Sequence, residues 1–347
     1  MKTIQHSICI GILAGWAMCN SGMAQTSQKL AQTSMQFLTV TSDARVAAMA
    51  DAVTGLQIGS SAMFFNPSGM SSMENSLDIA VSRTEWIADI KHYTAGFAVS
   101  PANGDYGVFG LSMQYVDYGE FIGTVVDLSS PKQYQDVDIF HLNAMAVGFG
   151  YAKRLTDQFS IGAHIQWVRQ DLGQSYVPNP VPTHYDSTRG KYIDTAVYAS
   201  NNLTPLVFSF GTQFRTGVKS LVFGMSVRNF SKDMQYVYES FQLPLVFTIG
   251  VSMNLFDLVP KLPLDQVLNA SIDASHYRDH PEQIKIGLEY QVMNLLAVRG
   301  GYASNTDEAS GWSFGVGVAQ AGFAFDYAYT PFGAFDKVQR ITVRFTN

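Results

Sequence analysis

The sequence predicts an all-β fold, a 14-stranded antiparallel transmembrane β-barrel formed by residues 77–347. Three observations predict it: candidate strands follow one another without interruption, most are about ten residues long, and the gaps between them alternate in length. A tilted strand needs about ten residues to cross the hydrocarbon of a bilayer, and bacterial barrels have an even number of strands. The candidate strands are 77–84, 90–100, 105–117, 140–153, 158–170, 205–214, 220–229, 245–255, 267–277, 283–292, 295–303, 312–319, 322–330 and 338–346.

The connections between these strands fall into two classes. One side of the barrel takes the longest connections, which are 85–89, 118–139, 171–204, 230–244, 278–282, 304–311 and 331–337. The other side takes mostly tight turns, which are 101–104, 154–157, 215–219, 256–266, 293–294 and 320–321. Because outer-membrane barrels have long outer loops and short periplasmic turns, the first set is predicted to face the outside.

Each predicted strand has one bulky apolar face and one small or polar face. In residues 312–318, Trp, Phe and Val alternate with Ser and Gly, and residues 159–168, 245–255 and 284–292 show the same period of two. A soluble β-sandwich would give the same alternation. The membrane is favoured because the apolar face is rich in aromatic residues and because charged residues make up only 14% of the chain.

The N-terminus predicts export. An apolar stretch from Ile8 to Met18 follows a basic start and is followed by small and polar residues, so residues 1–24 are expected to be a signal peptide cleaved after Ala24. Lipidation at Cys19 is the alternative, but the residues before it make a poor lipobox. Both cysteines, Cys9 and Cys19, leave with this peptide. The mature chain is therefore expected to contain no disulfide and no thiolate metal site.

Charge excludes one class of partner. The formal net charge is −6 and becomes −7 once Lys2 leaves with the signal peptide. A negative chain without a basic cluster does not favour nucleic acid or anionic lipid headgroups. Outer-membrane lipid is the expected surrounding of the strands, and the outer membrane is the predicted location.

Residues 25–76 differ from the rest of the chain. A short helix is predicted around residues 42–52, with Thr41 or Ser42 as its N-cap, and Asn66-Pro67 marks a turn. A barrel of this width with a Gly- and Ser-lined interior would leave a hole unless something filled it. We expect the segment to be a hatch folded into the periplasmic mouth, with a loose periplasmic leader as the alternative.

The same segment carries a family resemblance. Phe37-Leu38, the run from Asp43 to Ala52, and Asn66-Pro67-Ser68-Gly69 resemble the opening of the PorV/PorQ family, which lies within the FadL-like group of 14-stranded outer-membrane barrels. Further similar runs are 209–217, 223–230, 326–329 and 340–345. The chain departs from the family where Asp43 and Ala50-Asp51 replace usual glycines, which concerns the local backbone.

The resemblance implies two possible roles. PorV-like barrels take part in type IX secretion, where they accept folded cargo through its C-terminal signal domain and pass it on for surface attachment. The FadL-like group implies diffusion of hydrophobic molecules past a hatch. The sequence leaves both roles open, together with the cargo or solute and the oligomeric state.

Several apparent chemical motifs do not predict catalysis. Gly311-Trp312-Ser313-Phe314-Gly315 matches the hydrolase pattern G-x-S-x-G, but that serine needs a strand-to-helix turn and here lies within an alternating strand. His276 and His280 straddle a strand end, so they are not expected to bind a metal, and His184 lies in a predicted outer loop. We expect no enzyme activity, no cofactor and no metal.

Charged and polar residues are predicted to face the interior. A charge inside a membrane barrel is tolerated when it is paired or wet, so the preferred interpretation is a salt-bridge network that holds the hatch, with selectivity or gating as the alternative. The candidates in the hatch and lumen are Arg45, Asp51, Asn66, Arg228, Asp273, Lys285, Glu289 and Asp326.

The long outer connections are the predicted surfaces for partner proteins. Those partners are expected to be a secretion translocon and its cargo. The ranges are 118–139, 171–204 and 230–244. In the longest of them, Tyr176, Tyr185 and Tyr192 are candidate contact residues, since tyrosine is enriched at interfaces.

Overall fold

The computed structural model describes residues 33–126, 131–178, 184–187, 191–193, 196–236, 239–259, 265–306, 310–335 and 337–347. The predicted signal peptide and both cysteines lie outside this described part of the chain. No helix among the described residues is long and apolar enough to cross a membrane.

One antiparallel sheet closes on itself and forms the wall of the barrel. Its strands are β1 Leu77–Glu85, β2 Lys91–Val99, β3 Val108–Val126, β4 Tyr134–Arg154, β5 Phe159–Pro178, β8 Ala196–Leu203, β9 Leu206–Arg215, β10 Val222–Phe230, β13 Val246–Asn254, β14 Gln266–Tyr277, β15 Gln283–Val292, β16 Leu296–Ala303, β17 Trp312–Gln320, β18 Phe323–Pro331 and β19 Lys337–Thr346. Two small hairpins pair outside it, β6 His184–Asp186 with β7 Lys191–Ile193 and β11 Met234–Tyr236 with β12 Glu239–Phe241.

The closed barrel has fourteen wall strands. β8 and β9 count as one, because both pair with β5 on either side of Thr204-Pro205. The first strand, β1, pairs with the last, β19, and this pairing closes the barrel. The predicted strand number and antiparallel order are therefore confirmed.

The helices are short. In the described part of the chain, the α-helix is α1, Ala44–Ala48, and the 3₁₀ turns are Gln36–Thr39, Gly59–Phe64, Pro67–Met70, Ile87–Asp89, Pro101–Gly104, Leu255–Leu258 and Gly333–Phe335. The N-cap of α1 is Asp43, whose carboxylate accepts a hydrogen bond from Val46 N. The predicted N-caps, Thr41 and Ser42, were wrong by one or two residues.

The two faces of the strands separate as their period of two predicts. On β17, Phe314 and Val316 point outward and are half exposed, while Ser313, which directly precedes Phe314, points inward and is buried. On β15, Ile286 and Leu288 are exposed, and the charged Lys285 and Glu289 are buried. Apolar residues thus meet the lipid, and polar residues meet the lumen.

Two predicted loops are in part continuous strand. β3 and β4 remain paired as far as Val126 and Tyr134, and β5 beyond residue 170 pairs with β8. Residues 118–126 of β3 and 134–142 of β4 form an arm on the outer side, which we call the β3–β4 arm. The sequence did not predict it as strand, because both faces of an arm that stands clear of the membrane meet water and the apolar alternation is lost.

Residues 33–76, which we call the inner segment, run along the interior from one end of the barrel to the other. Thr33 forms a parallel bridge with Gln242, which lies in an outer connection. Ser76 N donates to the carbonyl of Asn347, at the periplasmic end of β19. The expectation of a segment confined to the periplasmic mouth therefore does not fit. Phe37 and neighbouring apolar side chains bury themselves against inward residues near the outer ends of the strands.

Candidate functional site

A network of alternating charges joins the inner segment to the barrel wall. Glu289 on β15 is fully buried and accepts from Nε and Nη2 of Arg45, at 2.7 Å each, and from Nε of Arg299, at 2.6 Å. Arg299 Nη1 donates to Asp326 Oδ1 on β18 at 2.6 Å. Two guanidinium groups thus balance two carboxylates, and the fork of Arg45 fits its carboxylate in the bidentate way that fixes orientation.

A second ion pair holds the turn that follows α1. Lys285 Nζ lies 3.4 Å from Asp51 Oδ2 and donates to Tyr277 Oη at 2.9 Å. Ala50 and Asp51 both have positive φ, which is the left-handed conformation that commonly ends helices. The glycines usual for the family are absent here, and the backbone keeps this conformation nevertheless.

Three predicted lumen residues bind backbone or polar groups instead of opposite charges. Asp273 accepts from Val53 N at 3.0 Å, from Thr54 N at 2.9 Å and from Thr54 Oγ1 at 2.6 Å. Arg228 Nη1 donates to the carbonyl of Phe64 at 2.7 Å.

Asn66 also holds backbone of the inner segment. Its Nδ2 donates to the carbonyl of Thr54 at 2.7 Å, and its Oδ1 accepts from Ser68 N at 3.2 Å. The predicted salt-bridge network therefore does not describe the contacts of Asp273 and Arg228, which hold the inner segment through hydrogen bonds to neutral groups. The structure nevertheless brings all eight candidate residues to the junction between the inner segment and the wall.

Sequence reasoning missed the arginines of β16 and β19. Arg344 donates from Nη2 to Asp43 at 3.1 Å and from Nη1 to the carbonyl of Ile58 at 2.8 Å, so it holds both ends of one stretch of the inner segment. Arg340 donates from Nε to the carbonyl of Thr41 at 2.7 Å. Since these residues alternate with outward apolar residues on β19, the same period of two could have found them.

Glycines let the inner segment approach the wall at backbone distance. A Cβ built on Gly301 would lie 2.4 Å from the carbonyl carbon of Met49, and one built on Gly287 would lie 2.8 Å from the Met49 oxygen. On the opposite wall, a Cβ at Gly110 would meet the sulfur of Met63 at 2.5 Å. Gly301 and Gly287 thus approach rigid backbone, whereas Gly110 approaches a flexible side chain.

Two cavities flank the inner segment. The outer cavity, of about 190 Å³, lies between α1 and the outer ends of β14 to β19 and is lined in part by Lys285 and Arg340. The periplasmic cavity, of about 490 Å³, is lined in part by Arg45, Arg299 and Asp326. Charged residues line both cavities.

The start of the inner segment is tied to an outer connection. Thr33 and Gln36 donate to the carboxylate of Asp279, and His280 Nδ1 lies 2.7 Å from its other oxygen. Burial opposes ionisation of Asp279, but the hydrogen bonds from His280, Thr33 and Gln36 outweigh it and hold the pKa of this carboxyl below its usual range. The tie is therefore present at neutral pH.

The candidate partner tyrosines lie in the outer hairpins. The backbone register pairs Tyr185 with Tyr192 in the β6–β7 hairpin and Tyr176 with Tyr198 between β5 and β8. Their role in partner contact stays a prediction.

The apparent chemical motifs have structural explanations. Ser313 is buried within β17 and shares a hydrogen bond of 3.3 Å with Thr330, so it does not lie on a strand-to-helix turn. His276 Nδ1 lies 3.2 Å from Glu282. The described residues contain no group of three His, Cys, Asp or Glu side chains suited to hold a metal ion.

The fold and the interior define the class: a closed 14-stranded outer-membrane β-barrel whose inward side chains bind its own N-terminal segment. The toluene transporter TbuX of Ralstonia pickettii is similar, with a TM-score of 0.56 and 14% identity over 87% of this chain and 97% of that chain. The toluene transporter TodX of Pseudomonas putida gives 0.55 and 13% over 87% and 95%. A FadL homologue of Pseudomonas aeruginosa gives 0.51 and 12% over 88% and 98%. At these identities the likeness shows the fold.

Sequence comparison gives the family. Residues 23–254 match the family described as type IX secretion system protein PorV, and the chain belongs to that family. No curated protein sequence matches the chain significantly. The resemblance drawn from the sequence is thereby confirmed, as is the prediction of an outer-membrane barrel of type IX secretion. The family and the fold are non-catalytic in kind.

Proposed function

We propose that this barrel receives secreted cargo through its C-terminal signal domain, at the outer arms, and passes it on for attachment at the cell surface. Membership of the PorV family carries the proposal. The partners are a secretion translocon and its cargo, and the barrel itself performs no chemical reaction.

The β3–β4 arm supports a partner-binding role. Phe121, Ile122 and Ile139 are exposed on it, although the strand beyond Asp117 extends past the length needed to cross the bilayer. Phe121 and Ile122 are consecutive in a strand and therefore expose apolar side chains on both faces of the arm. Exposed apolar groups outside the bilayer are typical of protein interaction sites.

The interior supports binding at the arms rather than passage of cargo through the barrel. The inner segment contacts wall strands on opposite sides, through Arg228 on β10 and Arg344 on β19. A folded cargo domain would have to displace it completely. We propose that the inner segment acts as a hatch, held by the charged candidate residues.

The test compares two matched substitutions of exposed aliphatic residues. Ile122→Asp on the β3–β4 arm should leave the barrel folded and reduce capture of cargo signal domains by about tenfold. Val218→Asp, at an equally exposed position in a periplasmic turn, is the control and should bind normally. Equal capture by both variants, measured by pull-down with a purified signal domain, would contradict a role for this arm.

Deletion of the gene tests the secretion role itself. It should leave cargo with C-terminal signal domains in the periplasm, and shortening residues 171–204 should weaken partner capture while the barrel stays heat-modifiable on gels. Surface loops tolerate such shortening better than strands do. Normal cargo release in the deletion strain would overturn the proposal.

Transport of hydrophobic small molecules is the competing role. The similar solved structures include toluene transporters, so the fold is compatible with it. The charged lining of the two cavities argues against an apolar path through this lumen. A transporter would lose solute uptake when Asn66 or Arg45 is substituted, with secretion unchanged.

We also propose that the chain reaches the outer membrane through a signal peptide cleaved after Ala24. The apolar stretch and small residues before this position support it. The intact mass of protein purified from outer membranes should correspond to a chain that begins at Gln25. A mass that includes the first 24 residues would contradict cleavage.

A further inference from the structure

The outer cavity contains a buried arginine, Arg340, that forms no ion pair with any of the described residues. Arg340 is 5% exposed, donates Nε to the carbonyl of Thr41 and donates Nη1 to Thr330 Oγ1 at 2.9 Å. Both acceptors are neutral, and no carboxylate among the described residues lies within ion-pair distance of Arg340. A buried cation without a counter-charge is costly, so its place on a cavity wall indicates a site for an anion.

A second cation lines the same cavity. Lys285 is 3% exposed and faces the cavity together with Asp51, which partly neutralises it. Among the described residues, the titratable side chains on the lining are Lys285, Arg340, Asp51 and Tyr277. Among the described residues on this lining, two cations face one carboxylate, which leaves one positive charge unbalanced and matches a monoanion.

Two aromatic residues, Trp86 and Phe332, line the outer end of the cavity. The rings of Trp86 and Phe332 are 5.2 Å apart and perpendicular, and Arg340 lies 5.6 Å from the Trp86 ring centre. Both aromatic residues follow the outer ends of strands, so the cavity is reached from outside. Its volume of about 190 Å³ suits one small ring, since a cavity of about 150 Å³ in another protein holds one benzene.

We propose that the outer cavity binds a small aromatic carboxylate of the benzoate class, with its carboxylate on Arg340 and Lys285 and its ring against Trp86 and Phe332. A planar guanidinium and a carboxylate match in geometry, which favours this anion over a spherical one. The site goes beyond the proposed secretion role and does not depend on it.

The test uses the complete mature barrel in lipid nanodiscs and ligand-observed fluorine NMR. 4-Fluorobenzoate should show saturable line broadening that unlabelled benzoate reverses. 4-Fluorobenzamide, which has nearly the same shape and no charge, should not broaden. Equal broadening by the amide would show partition into lipid or apolar surface and would overturn the proposal.

Matched arginine variants locate the site. Arg340→Gln should weaken 4-fluorobenzoate binding at least tenfold. Arg278→Gln removes a cation that is also near the outer end but donates to the carbonyl of Leu243 and does not line the cavity, so it should bind as the unaltered protein does. Unchanged affinity in Arg340→Gln would overturn the proposal.

A third variant keeps the test decisive if Arg340→Gln fails to fold. Ala303 lines the cavity, and Ala303→Leu fills it while both cations stay in place. Loss of binding in a heat-modifiable Ala303→Leu barrel supports the site. Binding equal to that of the unaltered barrel contradicts it.

Discussion

The two sides of the barrel hold the inner segment by different chemistry. Among the described residues, every ion pair between the segment and the wall involves β15 or β19. On the opposite side, Met63 and Met70 pack on glycines of β3 and β4, and apolar residues such as Phe37 pack further outward. We call these the charged side and the apolar side.

The two sides therefore contribute differently to the inner segment: the charged side fixes its position, and the apolar side mainly buries its apolar surface. Charge-assisted hydrogen bonds are directional, so the charged side determines where α1 lies along the wall. Methionine side chains adapt to irregular gaps, so the contacts of Met63 and Met70 bury surface without fixing the position to a fraction of an ångström, and the bond from Gln114 Nε2 of β3 to the carbonyl of Phe37 is the neutral counterpart of the ion pairs on the charged side. The inner segment should therefore be sensitive to small changes on the charged side and tolerant of them on the apolar side.

Removal of the central carboxylate should have the largest effect. Glu289→Ala leaves the half-buried Arg45 and the buried Arg299 with one remaining carboxylate partner, and loss of one member of a buried pair costs about 3–5 kcal/mol. Urea unfolding of the reconstituted barrel measures this cost. Glu282→Ala, at an exposed position on the same side, is the control. A cost below about 1 kcal/mol for Glu289→Ala would show that the charged side does not fix the segment.

An arginine placed on the lipid face should lower the free energy of unfolding equally on the two sides of the barrel. Ile165 on the apolar side and Leu288 on the charged side point outward with similar exposure. Ile165→Arg and Leu288→Arg should each lower the free energy of unfolding by roughly 2–4 kcal/mol near the bilayer midplane. If the two costs differ by more than the error of the titration, the sides differ in their wall as well as in their contacts with the segment.

Matched glycine substitutions should give the smallest but most direct contrast. Gly301→Ala forces a Cβ against the backbone of Met49 and should cost about 1–3 kcal/mol, as overpacking does. Gly110→Ala meets the movable sulfur of Met63 and should cost less than about 1 kcal/mol. Equal unfolding free energies for the two variants would remove the distinction between a rigid side and an adaptable one.

Much of the barrel wall could be predicted from the sequence, because a strand that faces lipid on one side and polar lumen on the other shows a strict period of two. The inward phase of Lys285 and Glu289 was found in this way, and Arg340 and Arg344 follow the same rule. The arm strands could not be predicted, because beyond Asp117 neither face must be apolar.

Contacts of the inner segment were harder to predict than its existence. Asp43 and Arg344 are 301 residues apart, and no local pattern indicates which arginine a buried carboxylate meets. The N-cap of α1 falls on Asp43 rather than Thr41 or Ser42, and the same carboxylate also accepts from Arg344 and Ser61. Local propensity alone does not include such a tertiary contact.

The path of the inner segment has a consequence for assembly. The chain enters the lumen at the outer end, leaves it at the periplasmic end and continues directly into β1, which pairs with the last strand. Because the described wall strands all follow it in sequence, the inner segment is joined to the barrel at its C-terminal side, next to β1. It can therefore occupy the lumen before β19 meets β1, or enter a closed barrel afterwards through the periplasmic mouth with its leading end first, and the bond from Ser76 N to the carbonyl of Asn347 fixes its attached end at that mouth in either case.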